Sequence, residues 1–150
     1  MGTELMIFED FGVAACMAFA AMGSALGTGN AAMGALGAWK KCFAQNKSAP
    51  FLLTIFVGFP LSQTIYGMVL MNNISTAAAA GHPLLWIGLF GGLGMGVSAM
   101  MQGKAAASAC DALAETGKGA SNYIIALGII ETVALFVMAF LMSKISVFTG

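Results

Sequence analysis

Charged residues are scarce in this sequence, and arginine is absent from it. Only 8% of the 150 residues are charged, while 59% are hydrophobic. A water-soluble domain usually carries about a quarter charged residues, so there is too little polar surface here to cover one. The six basic residues are all lysine and the net charge is zero. Without a basic patch to meet phosphates, a nucleic-acid-binding protein is excluded.

Cysteine is also rare, and its spacing does not indicate a metal site. There are three cysteines, Cys16, Cys42 and Cys110, and they lie far apart in the chain. An odd number without metal-ligand spacing fits neither a disulfide framework nor a zinc motif. We interpret them as buried structural thiols.

Long apolar runs are abundant, and there are four of them. They cover residues 11–39, 51–71, 84–110 and 123–142. Each reaches the roughly 20 residues that a helix needs to cross a hydrocarbon core of about 30 Å. Runs this long without alternation do not fit the strands of a membrane barrel. The sequence therefore predicts an all-α membrane protein with four transmembrane helices.

The lysines predict how these helices are oriented. The breaks between the runs cover residues 40–50, 72–83 and 114–121, where glycine, proline and polar residues favour turns. Four lysines lie in the first and third breaks, none lies in the middle break, and the N-terminal tail is acidic: Lys40, Lys41, Lys47, Lys118; Glu4, Glu9, Asp10. By the positive-inside rule, both hairpin loops are cytoplasmic and both termini are outside, and we expect a bacterial cell membrane.

The chain also shows a faint internal repeat. Aligning Gly29 with Gly103 relates the first helix to the third at an offset of 74 residues. Aligning Gln63 with Glu131 relates the second helix to the fourth at an offset of 68 residues. The pattern predicts two tandem homologous hairpins, residues 1–79 and 80–150, in the same orientation.

Small residues recur at every fourth position in the first and third helices. Gly23 and Gly27 show this spacing in the first, and Gly88, Gly92 and Gly96 in the third. In a bilayer such spacing lets two helix backbones approach closely. The contact could lie inside one bundle, or it could form the tightly curved inner wall of a ring of many copies.

Glu131 is the main candidate for a functional residue. It lies eight residues after Tyr123, at membrane depth, where an ionisable side chain is costly and usually functional. Ser62, Gln63 and Gln102 bring neutral oxygens to the other helices, and one carboxylate with several such oxygens suits a hard cation such as sodium. A proton carrier needs only the carboxyl group, and helix-to-helix hydrogen bonding is the structural alternative.

These residues resemble those of the proteolipid, or K/c subunit, of V-type and A-type rotary ATPases in its duplicated four-helix form. The resemblance covers essentially the whole chain. It is most specific in three segments, the P-x-[ST]-Q-x-x-Y-G pattern of residues 60–67, the QGKAAA stretch that begins at Gln102, and the ET pair at 131–132. Serine stands at position 62 where threonine is common in the family, and it keeps the hydroxyl oxygen.

The resemblance implies a sodium site and assigns its residues. The ion would be held by the Glu131 carboxylate, the Gln102 and Gln63 side chains, the Ser62 hydroxyl and the backbone carbonyl of Phe59. Tyr66 would donate a hydrogen bond to the glutamate, and Thr132 would support the site from outside. Sodium would be the transported ion, with a proton as its competitor.

The resemblance also implies the partners. The chain would form a homo-oligomeric ring in the lipid bilayer, carrying ions across the membrane as ATP is hydrolysed. A stator membrane protein would supply the arginine that releases the ion, and central stalk subunits would meet the cytoplasmic loops. ATP would bind other subunits, so this chain would have no catalytic residue of its own. Three alternatives stay open, namely a proton-specific ring, a small proton-coupled secondary transporter that uses Glu131, and a purely structural bundle.

Overall fold

The fold is a bundle of long helices, seen in a computed structural model that describes the backbone of residues 2–149 and the side chains of residues 11–148. The helices are α1 (Gly2–Ala44), α2 (Leu53–Gly58), α3 (Ser62–Ala79), α4 (Leu85–Thr116) and α5 (Ala120–Thr149), and a 3-10 turn at Phe59–Leu61 joins α2 to α3. Four segments are long and apolar enough to cross a membrane, Phe11–Ala44, Leu53–Ala79, Leu85–Thr116 and Ala120–Phe148. The prediction of an all-α membrane protein with four spans is confirmed, and the described residues form no strand.

The helices continue past the predicted ends of the apolar runs. Residues 40–44, 72–79 and 114–116 are helical, so the loops shrink to residues 45–52, 80–84 and 117–119. Polar side chains near the ends are satisfied within the helix, because Asn73 Nδ2 donates to the carbonyl of Val69 at 2.9 Å. The helices end only where the backbone turns left-handed, with φ of 89° at Gly81 and 66° at Gly117. The acidic residues Glu4, Glu9 and Asp10 lie outside the described side chains.

α1 and α4 run parallel and in direct backbone contact. Gly23 lies against Gly96, and Gly27 lies against Gly103, so closely that a Cβ atom on any of these glycines would overlap the partner backbone. The glycine spacing is therefore used inside one bundle. At the end of the bundle that carries the two hairpin loops, hereafter the loop end, Lys41 Nζ lies 3.0 Å from the Glu115 carboxylate and joins the two helices again.

α3 and α5 pack beside this pair, and α5 is the less enclosed. In its most apolar stretch 11% of the residues are buried, against 33–44% in the other three spans. Two apolar clusters form the core. One surrounds Leu53, Phe56 and Leu127 toward the loop end, and the other surrounds Leu70 and Ala134 toward the opposite end. Between them lies a layer of buried polar side chains, which contains the candidate site: Gln63, Ser98, Gln102.

The three cysteines are buried and unbridged. Cys16 Sγ lies 3.5 Å from the carbonyl oxygen of Gly67, and Cys42 Sγ lies 4.0 Å from that of Ala114. They fill gaps between helices, in agreement with the interpretation as structural thiols.

Candidate ion-binding site

The second span changes its helical geometry at Pro60, beside the polar layer. Pro60 has no N–H to donate to the preceding turn, so the chain tightens there into the 3-10 turn. The carbonyl of Phe59 accepts from the backbone N–H of Ser62. The Ser62 Oγ lies 3.0 Å from that carbonyl oxygen and 3.2 Å from Gln63 Oε1. Its single proton serves one acceptor at a time, and three oxygens on one segment are thereby brought together.

Two glutamine amides connect this segment to α4 and α5. Gln63 Nε2 donates to Gln102 Oε1 at 2.9 Å, and Gln102 Nε2 donates to the backbone carbonyl of Leu127 at 2.9 Å. Both glutamines are fully buried. Because Leu127 offers only an acceptor, it fixes which way the Gln102 amide points, and Gln102 in turn fixes Gln63. The amide oxygen of Gln63 is left facing Ser62.

The Glu131 carboxylate lies at the end of this hydrogen-bonded set. Tyr66 on α3 donates its hydroxyl proton to Glu131 Oε1 at 2.6 Å. Gln102 Nε2 lies 3.5 Å from Glu131 Oε2, which is a long and weak contact. The carboxylate is only partly buried and borders an open pocket that is also lined by Ile55, Gly58, Phe59 and Ser62.

The pocket joins one carboxylate to a hydroxyl and a carbonyl oxygen, with an amide oxygen directly behind them. Hard cations are bound by oxygen ligands of these types. Among side chains 11–148, no three His, Cys, Asp or Glu residues come together, so the site does not resemble one for a transition metal.

Most of the residues assigned from the sequence lie close together, and one lies apart. Glu131, Gln102, Gln63, Ser62, Phe59 and Tyr66 form the connected set described above. Thr132 is exposed on α5, and its hydroxyl donates to the carbonyl of Ile129 in the same helix at 2.7 Å. It does not contact the other site residues within this chain.

Ser98 belongs to the polar layer and was not assigned from the sequence. Its Oγ donates to the backbone carbonyl of Ile130 at 3.0 Å. It lies four residues before Gln102, on the same face of α4. That spacing was the available signal, but a buried serine in a glycine-rich helix is common enough that it did not suggest a role.

The fold and this polar layer define the class of protein, an integral membrane helical bundle with a carboxylate held at membrane depth. Residues 85–142 match the family of the ATP synthase C polypeptide, the proteolipid of that enzyme. The matched segment covers α4 together with most of α5, and it includes Gln102 and Glu131. A search of curated proteins gives no match.

Proposed function

We propose that this chain is the ion-carrying subunit of the membrane rotor ring of a V-type ATPase, and that it transports sodium. The family match of residues 85–142 supports the rotor assignment. The single observation that most supports sodium is the oriented pair of amides from Leu127 through Gln102 to Gln63. A carrier of protons alone needs the carboxyl group but gains nothing from two buried, oriented glutamines.

The proposed mechanism begins with the hydrogen bonds around Glu131. When sodium arrives, the carboxylate, the Ser62 hydroxyl, the Phe59 carbonyl and the two amide oxygens turn toward it. The Tyr66 hydroxyl keeps one carboxylate oxygen in place meanwhile, because it bonds Oε1 alone. When Glu131 passes the arginine of a stator protein, that cation replaces sodium as the partner of the carboxylate. The present chain contains no arginine, so the displacing charge comes from elsewhere.

The ring and its surroundings complete the proposal. Identical copies assemble around an axis in a bacterial cell membrane, with both hairpin loops in the cytoplasm against the central stalk. Lys40, Lys41, Lys47 and Lys118 all lie toward the loop end, where a cytoplasmic location is favoured by the positive-inside rule. ATP is hydrolysed on other subunits.

One carboxylate serves four helices in this chain, which favours a pump over a synthase. At an offset of 68 residues from Glu131 the first hairpin carries Gln63, which is buried and uncharged. A ring of given circumference then carries fewer ions per turn, and each ion receives more of the ATP energy. A reconstituted enzyme that made ATP efficiently at a modest sodium-motive force would contradict this part of the proposal.

Binding of radioactive sodium to the purified oligomer tests the function. We expect one sodium per chain, and we expect Glu131→Gln to abolish binding. Glu115→Gln is the matched control, because Glu115 contacts Lys41 at the loop end, away from the polar layer, and it should bind as the unmodified chain does. Native mass spectrometry of the same sample should give a large, detergent-resistant ring. A small oligomer without sodium would favour a proton-coupled secondary transporter instead, and a ring without sodium would favour a proton rotor.

A further inference from the structure

Ser98 holds α5 by its backbone, next to the functional carboxylate. The Ser98 side chain is only 5% exposed, and its Oγ donates to the carbonyl of Ile130, the residue just before Glu131. The Gln102 amide donates to the carbonyl of Leu127. α4 therefore grips α5 at two carbonyls about one turn apart, and both lie on the face that presents Glu131.

α5 depends on these bonds because packing encloses it so little. Buried residues make up 11% of its most apolar stretch, against at least 33% in each of the other spans. Apart from Ala134 and Leu127, few side chains near Glu131 on this helix are buried. In a bilayer, apolar contact with lipid is as favourable as apolar contact with protein, so hydrogen bonds and close packing decide how a helix is rotated.

The Ser98 bond differs from the other bonds near the site in one respect. Tyr66 and Gln102 both contact the Glu131 carboxylate, and those contacts change whenever the ion binds or leaves. Ser98 contacts only a main-chain carbonyl, which keeps the same charge throughout. Its bond can therefore persist in the loaded and the empty state.

We propose that Ser98 is a positioning residue, which fixes the rotation and height of α5 so that Glu131 keeps its register with Tyr66 and Gln102 through the whole ion cycle. This inference rests on the proposed function of Glu131 as the ion carrier. Without the Ser98 hydroxyl, α5 can rotate by a few degrees, and the carboxylate then meets its oxygen partners less often.

The chain supplies a matched control in Ser24. It lies 74 residues before Ser98, the same offset that relates α1 to α4, and it is 2% exposed. Its hydroxyl has no hydrogen-bond partner among the described side chains and backbone. Ser24→Ala therefore removes the same atom from an equally buried position without touching α5.

The test compares Ser98→Ala with Ser24→Ala in the purified oligomer. A carbodiimide modifies a protonated carboxyl group, and the readout is the sodium concentration that halves modification of Glu131. Loss of one hydrogen bond should raise that concentration about three- to tenfold in Ser98→Ala. In Ser24→Ala it should stay within a factor of about two. Thermal dissociation of the two variant oligomers should be alike.

The outcomes separate the two proposals. If sodium protects the unmodified chain but Ser98→Ala needs no more sodium than it does, the positioning role is refuted and the carrier function stands. An equal shift in Ser24→Ala would also refute it, since loss of any buried hydroxyl would then suffice. If sodium does not protect Glu131 in the unmodified chain, the carrier function itself fails and the role of Ser98 fails with it.

Discussion

Tyr66 and Glu131 are joined across the boundary between α3 and α5 by a 2.6 Å hydrogen bond, with the phenol as donor. The bond links the two outer helices at the one carboxylate that the bundle holds at membrane depth. It also shields one carboxylate oxygen while the other faces Gln102. The ion affinity of the site should therefore depend on this phenol.

Removing the phenol should weaken sodium binding. Hydrogen bonds to charged groups contribute about 1.5–3 kcal/mol, so Tyr66→Phe should lower sodium affinity by roughly ten- to a hundredfold. Radioactive sodium binding to the oligomer measures this. The chain has one other tyrosine, Tyr123, whose ring packs edge-on against Phe56. Tyr123→Phe should leave the affinity within a factor of about two, and equal losses in both variants would contradict the role given to Tyr66.

Breaking the amide chain should cost sodium binding but leave proton binding in place. In Gln63→Leu the buried Gln102 Oε1 loses its donor, which costs about 1–3 kcal/mol, and the ion loses an oxygen ligand. We expect sodium affinity to fall at least tenfold, while carbodiimide still modifies Glu131 at low pH. Asn73→Leu is the control on the same helix, because Asn73 bonds only to its own helix at Val69. Unchanged sodium affinity in Gln63→Leu would reduce the two amides to helix-to-helix contacts.

Close contact between α1 and α4 should be intolerant of a single methyl group. A Cβ atom at position 23 would overlap the backbone of Gly96, whereas one at position 29 would meet no atom within 4 Å. Gly23→Ala should therefore lower the unfolding temperature in detergent, because a backbone cannot move aside as a side chain can. Gly29→Ala should leave that temperature unchanged or raise it slightly through better helix propensity. Equal effects of the two substitutions would contradict the packing described here.

The number and type of the elements could be predicted from the sequence because they depend on local composition. An apolar run such as 84–110 is long enough to cross a bilayer and too regular for any other structure. The ends of the helices could not be predicted in the same way. Asn72 and Asn73 look like turn residues in a sequence, but inside a helix they bond to the preceding turn, and the helix goes on to Ala79.

The candidate site was predictable to the extent that its chemistry is carried by side chains. An isolated glutamate within a span is conspicuous, and Ser62 with Gln63 follows a proline that breaks the helix. The contributions of Leu127 and Ile130 are made by main-chain carbonyls, which every residue has, so no sequence pattern indicates them. The outward direction of Thr132 likewise depends on how α5 is rotated, and that rotation is set by contacts between helices.

The central claim is that Glu131 carries sodium, and carbodiimide modification of the purified oligomer with and without sodium, at several pH values, tests it most directly. We expect Glu131 to be the modified residue, and we expect millimolar sodium to protect it and to move the pH dependence of modification to lower pH. Modification that follows pH alone would contradict the sodium assignment and leave a proton rotor. No modification of Glu131 at any pH would contradict the ion-carrier function itself.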